Sequence, residues 1–440
     1  MGSKAKVYLP GVFKTFQGFD VVDLKESRFS KSIEIVLEKN EERVHLCARC
    51  GNGLGASHDC WRVRARHLRL MGWDVTVVFD REKRFCPTCK KVRSERIEWI
   101  CDTSPHITLD LAWWLSRLSE ETSVLAVSRL ERVDKEACYQ VDKFILMRLL
   151  QGYAIPEVSR ISVDEVYARS PRQMKTDEDR DDLFLTVIVD MRTRKVIWVS
   201  ESRKKAALDD FFALIGPEAR AKIEVVATDS HEGYSASVRE NCPQATIVFD
   251  RFHIVQTFNE QINEERKSEL ARLDDVGRPD ELGDLMNGKY RYVFLTKEKN
   301  RNEVDRRHIE EVSRLNSMIA KLEIIKEHFH KMFDCHEKAE AQAMLEQCWT
   351  WAGQCGANRL AEWLEKMLDE ERLWNYFTYK VTTGISEGIN RVIKGLKWQA
   401  YGYKDMFYFR LKIMQKAGYL NSRFHFQQFM GTVSPDPGIH

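Results

Sequence analysis

The stretch from Ser159 to Phe258 limits the fold more than any other part of this chain. "RISVDEVYA", "LFLTVIVDM" and "KVIWVSES" follow one another as three runs rich in β-branched residues, so three successive strands forming a meander are expected. The pattern then changes. "ALDDFFALI" has helical spacing, "KIEVVATDS" reads as a strand, "YSASVREN" as a helix, and "ATIVFD" as a strand feeding the helix "RFHIVQTFNEQINEE". A meander followed by strands that alternate with helices predicts a mixed α/β core.

Two acids interrupt that apolar pattern. Asp164 lies inside "ISVDEVY", and Asp229 ends "VVATDSHEGY". A third, Glu387, opens "ISEGINRVIKGLKWQAYGYKD", a stretch otherwise carrying Arg391, Lys394, Lys397 and Lys404 among Trp398, Tyr401 and Tyr403. A buried carboxylate is costly unless it binds a cation or pairs with a base. Three converging acids could hold two divalent ions for phosphoryl transfer. Each also has a simpler reading: Asp164 pairing with Arg169, Asp229 capping a helix, and Glu387 making an i,i+4 pair with Arg391. Asp190 is explained by the turn "DMRTRK", and "TDEDRDD" reads as a solvated loop. Asp250 and His253 stand at Asp-x-x-His spacing beside Arg251, where a helix-capping acid with a satisfied histidine is the alternative to a functional pair.

The N-terminal part has a different character. "CARC" (Cys47, Cys50) and "CPTC" (Cys86, Cys89) are two Cys-x-x-Cys knuckles, a pattern that can close a tetrahedral Zn²⁺ site in a ribbon with a hairpin between the knuckles, the alternative being ordinary buried cysteines. His58 or Cys60 could replace one ligand. The remaining cysteines have no partner at such spacing, and burial is their default. Trp61 to Glu98 carries eleven Lys or Arg against five Asp or Glu, so it reads as a phosphate-contacting patch or as a charge-rich solvated hairpin. From His106 to Leu150 the spacing is helical. "TSVLAVSRLERVDKEACYQVDKFIL" suits a helix-turn-helix, with Asp134 as N-cap and Lys135, Tyr139 and Gln140 near the start of a recognition helix, or else a plain helical hairpin. Residues 261–380 read as amphipathic helices, and the segment opening near Ser386 reads as helix past Phe407 with a break at Gly402.

Composition narrows the class. With 43% hydrophobic and 31% charged residues the chain reads as globular, and a net charge of +2 leaves nucleic-acid affinity to local patches. No apolar run reaches the length of a membrane span, "MGSKAKVYLP" lacks the apolar core of a signal peptide, and eleven cysteines suit a reducing compartment, so a cytoplasmic protein is expected.

With these residues collected, the chain resembles the ISL3 family of bacterial insertion-sequence transposases. The resemblance runs through "CARCG…RFCPTC", Thr122 to Leu146, "ISVDEVYAR", "TDSHEGY", "FDRFHIVQTFNE", "KYRYVFL" and "SEGINRVIKGLKWQAYGYKDMFYFRLKI". It implies an α+β multidomain chain: a zinc-ribbon-like N-terminal domain (1–104), a helix-turn-helix DNA-binding region (105–155), a ribonuclease H-like mixed α/β core (156–260 and 381–425), an all-helical insertion (261–380) and a tail (426–440). It further implies an Asp-Asp-Glu triad of Asp164, Asp229 and Glu387 holding Mg²⁺ (or Mn²⁺), with His253 in support, for DNA cleavage and strand transfer. Arg391, Lys394 and Lys397 match the basic residues after the Glu and would face DNA, although Arg391 stands where family members usually carry Asn. The implied partners are double-stranded DNA, as terminal inverted repeats and target, and further copies of the chain on that DNA, in the nucleoid of a bacterial cell. Two alternatives share these features: a transposase-derived DNA-binding protein that no longer cuts, and a nuclease or resolvase on the same fold.

Overall fold

Tertiary contacts divide the chain into two units, Met1–Ala154 with Val392–His440, and Ile155–Arg391. The computed structural model describes residues 16–41, 43–169, 183–228, 232–275, 289–379 and 384–421. The strands of the first unit are β1 (Phe19–Ser27), β2 (Ser32–Lys39), β3 (Leu46–Cys47), β4 (Ser57–Leu70), β5 (Trp73–Cys86), β6 (Lys91–Arg96), β7 (Ile100–Cys101) and β8 (Ser104–Thr108). Those of the second are β9 (Arg160–Tyr167), β10 (Phe184–Asp190), β11 (Lys195–Ser200), β12 (Val225–Thr228) and β13 (Thr246–Phe249). The helices, in chain order, are α1 (Leu109–Glu121), α2 (Val124–Glu131), α3 (Lys135–Gln151), α4 (Lys205–Arg220), α5 (Glu232–Asn241), α6 (Arg251–Asp275) and α7 (Lys289–Leu295). They continue as α8 (Glu303–Leu315), α9 (Ser317–Met332), α10 (Lys338–Cys355), α11 (Asn358–Leu368), α12 (Glu371–Tyr379), α13 (Gly384–Gln399) and α14 (Met406–Ala417).

In the first unit the chain between the two knuckles folds as the antiparallel hairpin β4–β5, as the ribbon reading required. Met71 and Gly72 make its turn, both with positive φ (50° and 83°), the backbone that matches a hairpin's twist. One face alternates Val63 and Ala65 with Val75, Val77 and Phe79, and these join Phe16, Phe19, Ile35, Leu37, Ile97 and Trp99 in one apolar cluster. The other face carries the basic residues, which are largely neutralised within the unit: Arg62 pairs with Asp80, Arg64 with Glu34, Arg66 and Arg69 with Asp74, and Arg84 with Glu82. Three capped helices follow. The side chains of Thr108, Ser123 and Asp134 accept from the backbone N–H of Leu111, Ala126 and Ala137 respectively, which sets the starts of α1, α2 and α3.

The second unit contains the mixed sheet, with strand order β11-β10-β9-β12-β13. β9, β10 and β11 pair antiparallel, whereas β12 lies parallel to both β9 and β13, so the meander and the alternating half expected from the sequence meet at β9. Val225, Ala227, Val248 and Phe249 from the parallel edge share one apolar cluster with Ile254, Phe258 and Ile262 of α6 and with the buried faces of α8 to α12. Phe258 stacks on Phe329 at 3.8 Å. The helices of 261–380 therefore complete the sheet's own core, because an amphipathic helix must bury its apolar stripe on a neighbour.

The segment 381–425 is split: Arg391 ends the second unit, while Val392 onward groups with the first. The break in the C-terminal helical segment is also wider than a single glycine, spanning 400–405 before Asp405 caps α14 by accepting from Tyr408 N at 2.9 Å.

Candidate functional site

Asp164 sits near the middle of β9, the central strand, and is only 6% exposed. Its Oδ2 accepts a hydrogen bond from Asn390 Nδ2 at 2.8 Å. Its Oδ1 accepts from the backbone N–H of Glu165 at 2.7 Å and faces His253 Nε2 at 3.5 Å. Arg169, the base that might have claimed it, pairs with Glu201 instead. Ser162, two residues back on the same strand face, meets Ser386 Oγ to Oγ at 2.8 Å. Ser386 and Asn390 are one helical turn apart, so the start of α13 is fastened to β9 by two polar contacts in register.

Glu387 comes from that same turn. It is 46% exposed and makes the i,i+4 ion pair with Arg391 at 2.5 Å. Asp229 lies outside the described residues, directly after Thr228, the last residue of β12. His253 belongs to the first turn of α6. Asp250 caps that helix, its Oδ1 accepting from Phe252 N at 2.6 Å while its own N–H donates to Thr228 O. Asp190 is spent on its turn, as expected, accepting from Arg192 N and Thr193 Oγ1. The acid run at Thr176 to Asp182 lies outside the described residues. Asn390, Ser162 and Ser386 were not singled out from the sequence. Their signal was present as two polar residues two apart on a strand and two polar residues four apart on a helix.

A second site lies in the first unit. The Sγ atoms of Cys47, Cys50, Cys86 and Cys89 all lie within 4.8 Å of one another, the one group of possible metal ligands this close among the described residues. Cys50 and Cys86 are 3.6 Å apart. A tetrahedral zinc with Zn–S near 2.3 Å requires sulfur separations of about 3.8 Å, so the four thiols fit the ion. Each knuckle is shaped for this: Gly51 N donates to Cys47 O with φ 74° at Gly51, and Cys89 N donates to Cys86 Sγ at 3.3 Å. His58 and Cys60 lie outside the group and are exposed. Burial alone would push the Cys47 thiol up, yet hydrogen bonds from the Cys50 and Arg49 backbone and from neighbouring thiols bring it down to about 7. The hydrogen bond to Cys50, burial and the other sulfurs push Cys89 up to about 12. Cys47 thus loses its proton easily and Cys89 with difficulty, as expected of crowded thiols that a cation completes.

The exposed start of α3 carries Lys135 and Gln140, the latter donating to Glu136 Oε1 at 2.7 Å. Tyr139 is turned inward: its hydroxyl donates to Asp405 Oδ2 at 2.6 Å and its ring meets Tyr408 edge-on. Behind it the fully buried Asp142 accepts from Ser116 Oγ, Tyr408 Oη and Lys412 Nζ, tying α3 to α1 and α14. Lys394 is exposed and Lys397 half-buried on α13.

A family model described as a transposase, that of the ISL3 group, matches residues 161–413, more than half of the chain. The chain belongs to the ISL3 family of insertion-sequence transposases. This ISL3 transposase is 26% identical over 387 residues to the transposase for insertion sequence element IS1001 of Bordetella parapertussis, covering 85% of this chain and 89% of that protein. It is 23% identical over 401 residues to the transposase for insertion sequence element IS1557 of Mycobacterium tuberculosis, covering 82% and 83%. The matched interval of the transposase begins in β9 three residues before Asp164 and takes in Glu387, whereas the four cysteines precede it. No described helix of the transposase is long and apolar enough to cross a membrane.

Proposed function

We propose that this transposase cuts DNA at the ends of its insertion sequence and joins them to a target by divalent-cation-dependent phosphoryl transfer, with Asp164, Asp229 and Glu387 as the carboxylates. One observation carries the reading: among the described residues the buried Asp164 has no lysine or arginine partner, and the helix that grips it also carries Glu387. A buried carboxylate left without a lysine or arginine partner is expensive. An all-oxygen donor set suits Mg²⁺ or Mn²⁺. The sheet order, three antiparallel strands followed by two parallel ones, supports a ribonuclease H-like core, and Asp229 follows directly on the strand that neighbours β9.

When bound, two such ions lower the pKa of an attacking water or 3′-hydroxyl and neutralise the leaving oxygen. The chain's own residues do the rest. Asn390 and the Glu165 amide hold the two oxygens of Asp164 in one orientation, with His253 beside Oδ1 as a positioning group. Arg391 is 76% exposed and held only by Glu387 among the described residues, so its guanidinium is available to a phosphate once that acid is otherwise engaged. Lys394 and Lys397 would add phosphate contacts.

Recognition of terminal inverted repeats falls to α2 and α3 as a helix-turn-helix, with Lys135 and Gln140 facing the bases and Tyr139 seating the helix from behind. Structural Zn²⁺ on Cys47, Cys50, Cys86 and Cys89 would fix the ribbon, and further copies of the chain would assemble on the paired ends.

The test is Mg²⁺-dependent cleavage of DNA carrying the element's ends, wild type beside Glu387→Gln and Asp164→Asn. Loss of cleavage with retained binding is expected of both variants. Equal cleavage by wild type and Glu387→Gln refutes the triad. Tight binding with no cleavage by the wild type favours a DNA-binding protein that has lost catalysis. Cleavage without strand transfer points to a nuclease on this fold.

A further inference from the structure

Two aromatic side chains near the end of α13 are exposed in a way that packing does not explain. Trp398 is 81% exposed, the most exposed tryptophan among the described residues, and Tyr401 is 97% exposed. Neither ring makes a hydrogen bond or ring contact among the described residues. Tyr403, two residues further on, shows that burial is available here, since it stacks on Phe409 at 4.4 Å.

Tyr401 is held out at a backbone cost. Its N–H donates to Trp398 O and the N–H of Gly402 donates to Lys397 O, which is the hydrogen-bond pattern of a Schellman helix end. The first residue past such an end takes the left-handed conformation and is usually glycine. Here it is Tyr401, at φ 54°. A bulky residue in that seat and an unburied ring are two unfavourable choices at one position, so the ring has a use outside the folded chain.

The surroundings indicate which use. From Val392 to Lys404 the chain carries Lys394, Lys397 and Lys404 and no acid. The acid that follows, Asp405, is already engaged by Tyr139, Lys143 and the N-terminus of α14. Exposed rings beside the exposed Lys394 and Lys404 match a strand of phosphates whose bases are free to stack. Paired bases present no free face to a ring, so the fitting ligand is DNA with unpaired bases.

We infer that Trp398 and Tyr401 form a stacking platform for unpaired DNA bases, with Lys394, Lys397 and Lys404 holding the adjoining phosphates. The inference rests on the DNA reading above and adds a preference to it: the segment binds melted or displaced strands, which any cutting and joining reaction exposes, in place of intact duplex.

The test uses the full-length protein and two fluorescently labelled probes, an oligothymidylate single strand and a fully paired duplex, in anisotropy titrations. Trp398→Ala and Tyr401→Gly should each weaken single-strand binding roughly tenfold, while duplex affinity stays within about twofold. Tyr401→Gly should also raise the melting temperature, because glycine relieves the helix end, so its loss of binding cannot be ascribed to unfolding. Single-strand affinity unchanged in both variants overturns the platform alone. An equal loss on duplex overturns it too, since the rings would then not discriminate unpaired bases. Failure of the wild type to bind either probe overturns the DNA reading as well.

Discussion

Replacing Lys412 by methionine should loosen the seat of α3 without touching any residue proposed to meet DNA. Lys412 is 3% exposed, and its ammonium donates to Asp142 Oδ2 at 3.0 Å, Ser119 O at 2.6 Å and Gln415 Oε1 at 2.5 Å. Asp142 is wholly buried and keeps only the hydroxyls of Ser116 and Tyr408 when the lysine is gone. Methionine nearly conserves the stem's volume, so the loss is electrostatic. Stranding one partner of a buried pair costs about 3–5 kcal/mol. For a unit of this size each kcal/mol moves the midpoint by about 2–4 °C, so a fall of roughly 10 °C is expected. Adding Asp142→Asn removes the stranded charge, its amide oxygen accepting from one of the two hydroxyls and its NH2 donating to the other. The double variant should therefore recover about 2 kcal/mol relative to Lys412→Met. Urea and thermal unfolding followed by far-ultraviolet circular dichroism supply the four corners of the cycle. A loss below about 1 kcal/mol for Lys412→Met, or a double variant whose cost equals the sum of the singles, would refute the reasoning.

Further outcomes follow from other parts of the fold. Purified protein should carry about one zinc per chain by metal analysis, and Cys47→Ser or Cys86→Ser should abolish it; zinc content unaffected by both counts against the site. Because zinc must displace the thiol protons, zinc retention against a chelator should fall as pH drops. His330 is buried against Phe258 and Phe329, and burial together with Lys297, Lys326, Arg251 and Lys299 depresses its pKa to about 3. Below about 6.5 the unfolded chain then binds a proton that the folded one refuses, so stability is full above that pH and falls toward 3, by about 2 kcal/mol between pH 6.5 and 5. His330→Leu should flatten the wild-type slope in that window, and an unchanged slope would refute the assignment. Asn390→Ala removes the donor to Asp164 Oδ2; it should lower stability by about 1–3 kcal/mol without divalent ions and reduce DNA cleavage more than DNA binding.

Much of this architecture was legible beforehand because the physics behind it is local. β-Branched runs at 160–167, 184–190 and 195–200 became β9 to β11, helical spacing after Asp250 became α6, and Asp134 proved to be a cap, since each depends on a few neighbours in sequence. The knuckle cysteines were equally readable, and the described thiols do converge. What sequence could not show was which distant groups meet. The basic count of the β4–β5 hairpin suggested free positive charge, yet carboxylates of the same sheet pair with Arg62, Arg64, Arg66 and Arg84. Tyr139 looked like a base-reading residue, but its hydroxyl goes to Asp405, far along the chain. The helices of 261–380 were readable as helical, but that Phe258, Phe329 and the parallel strand edge share one core was not. Asn390 had no sequence mark apart from its spacing to Ser386, and it became the residue that grips Asp164. Periodicity and spacing follow from the bonded chain and so can be read along it. Neutralised charge, shared cores and second partners come from packing between remote segments, and only the tertiary structure decided them.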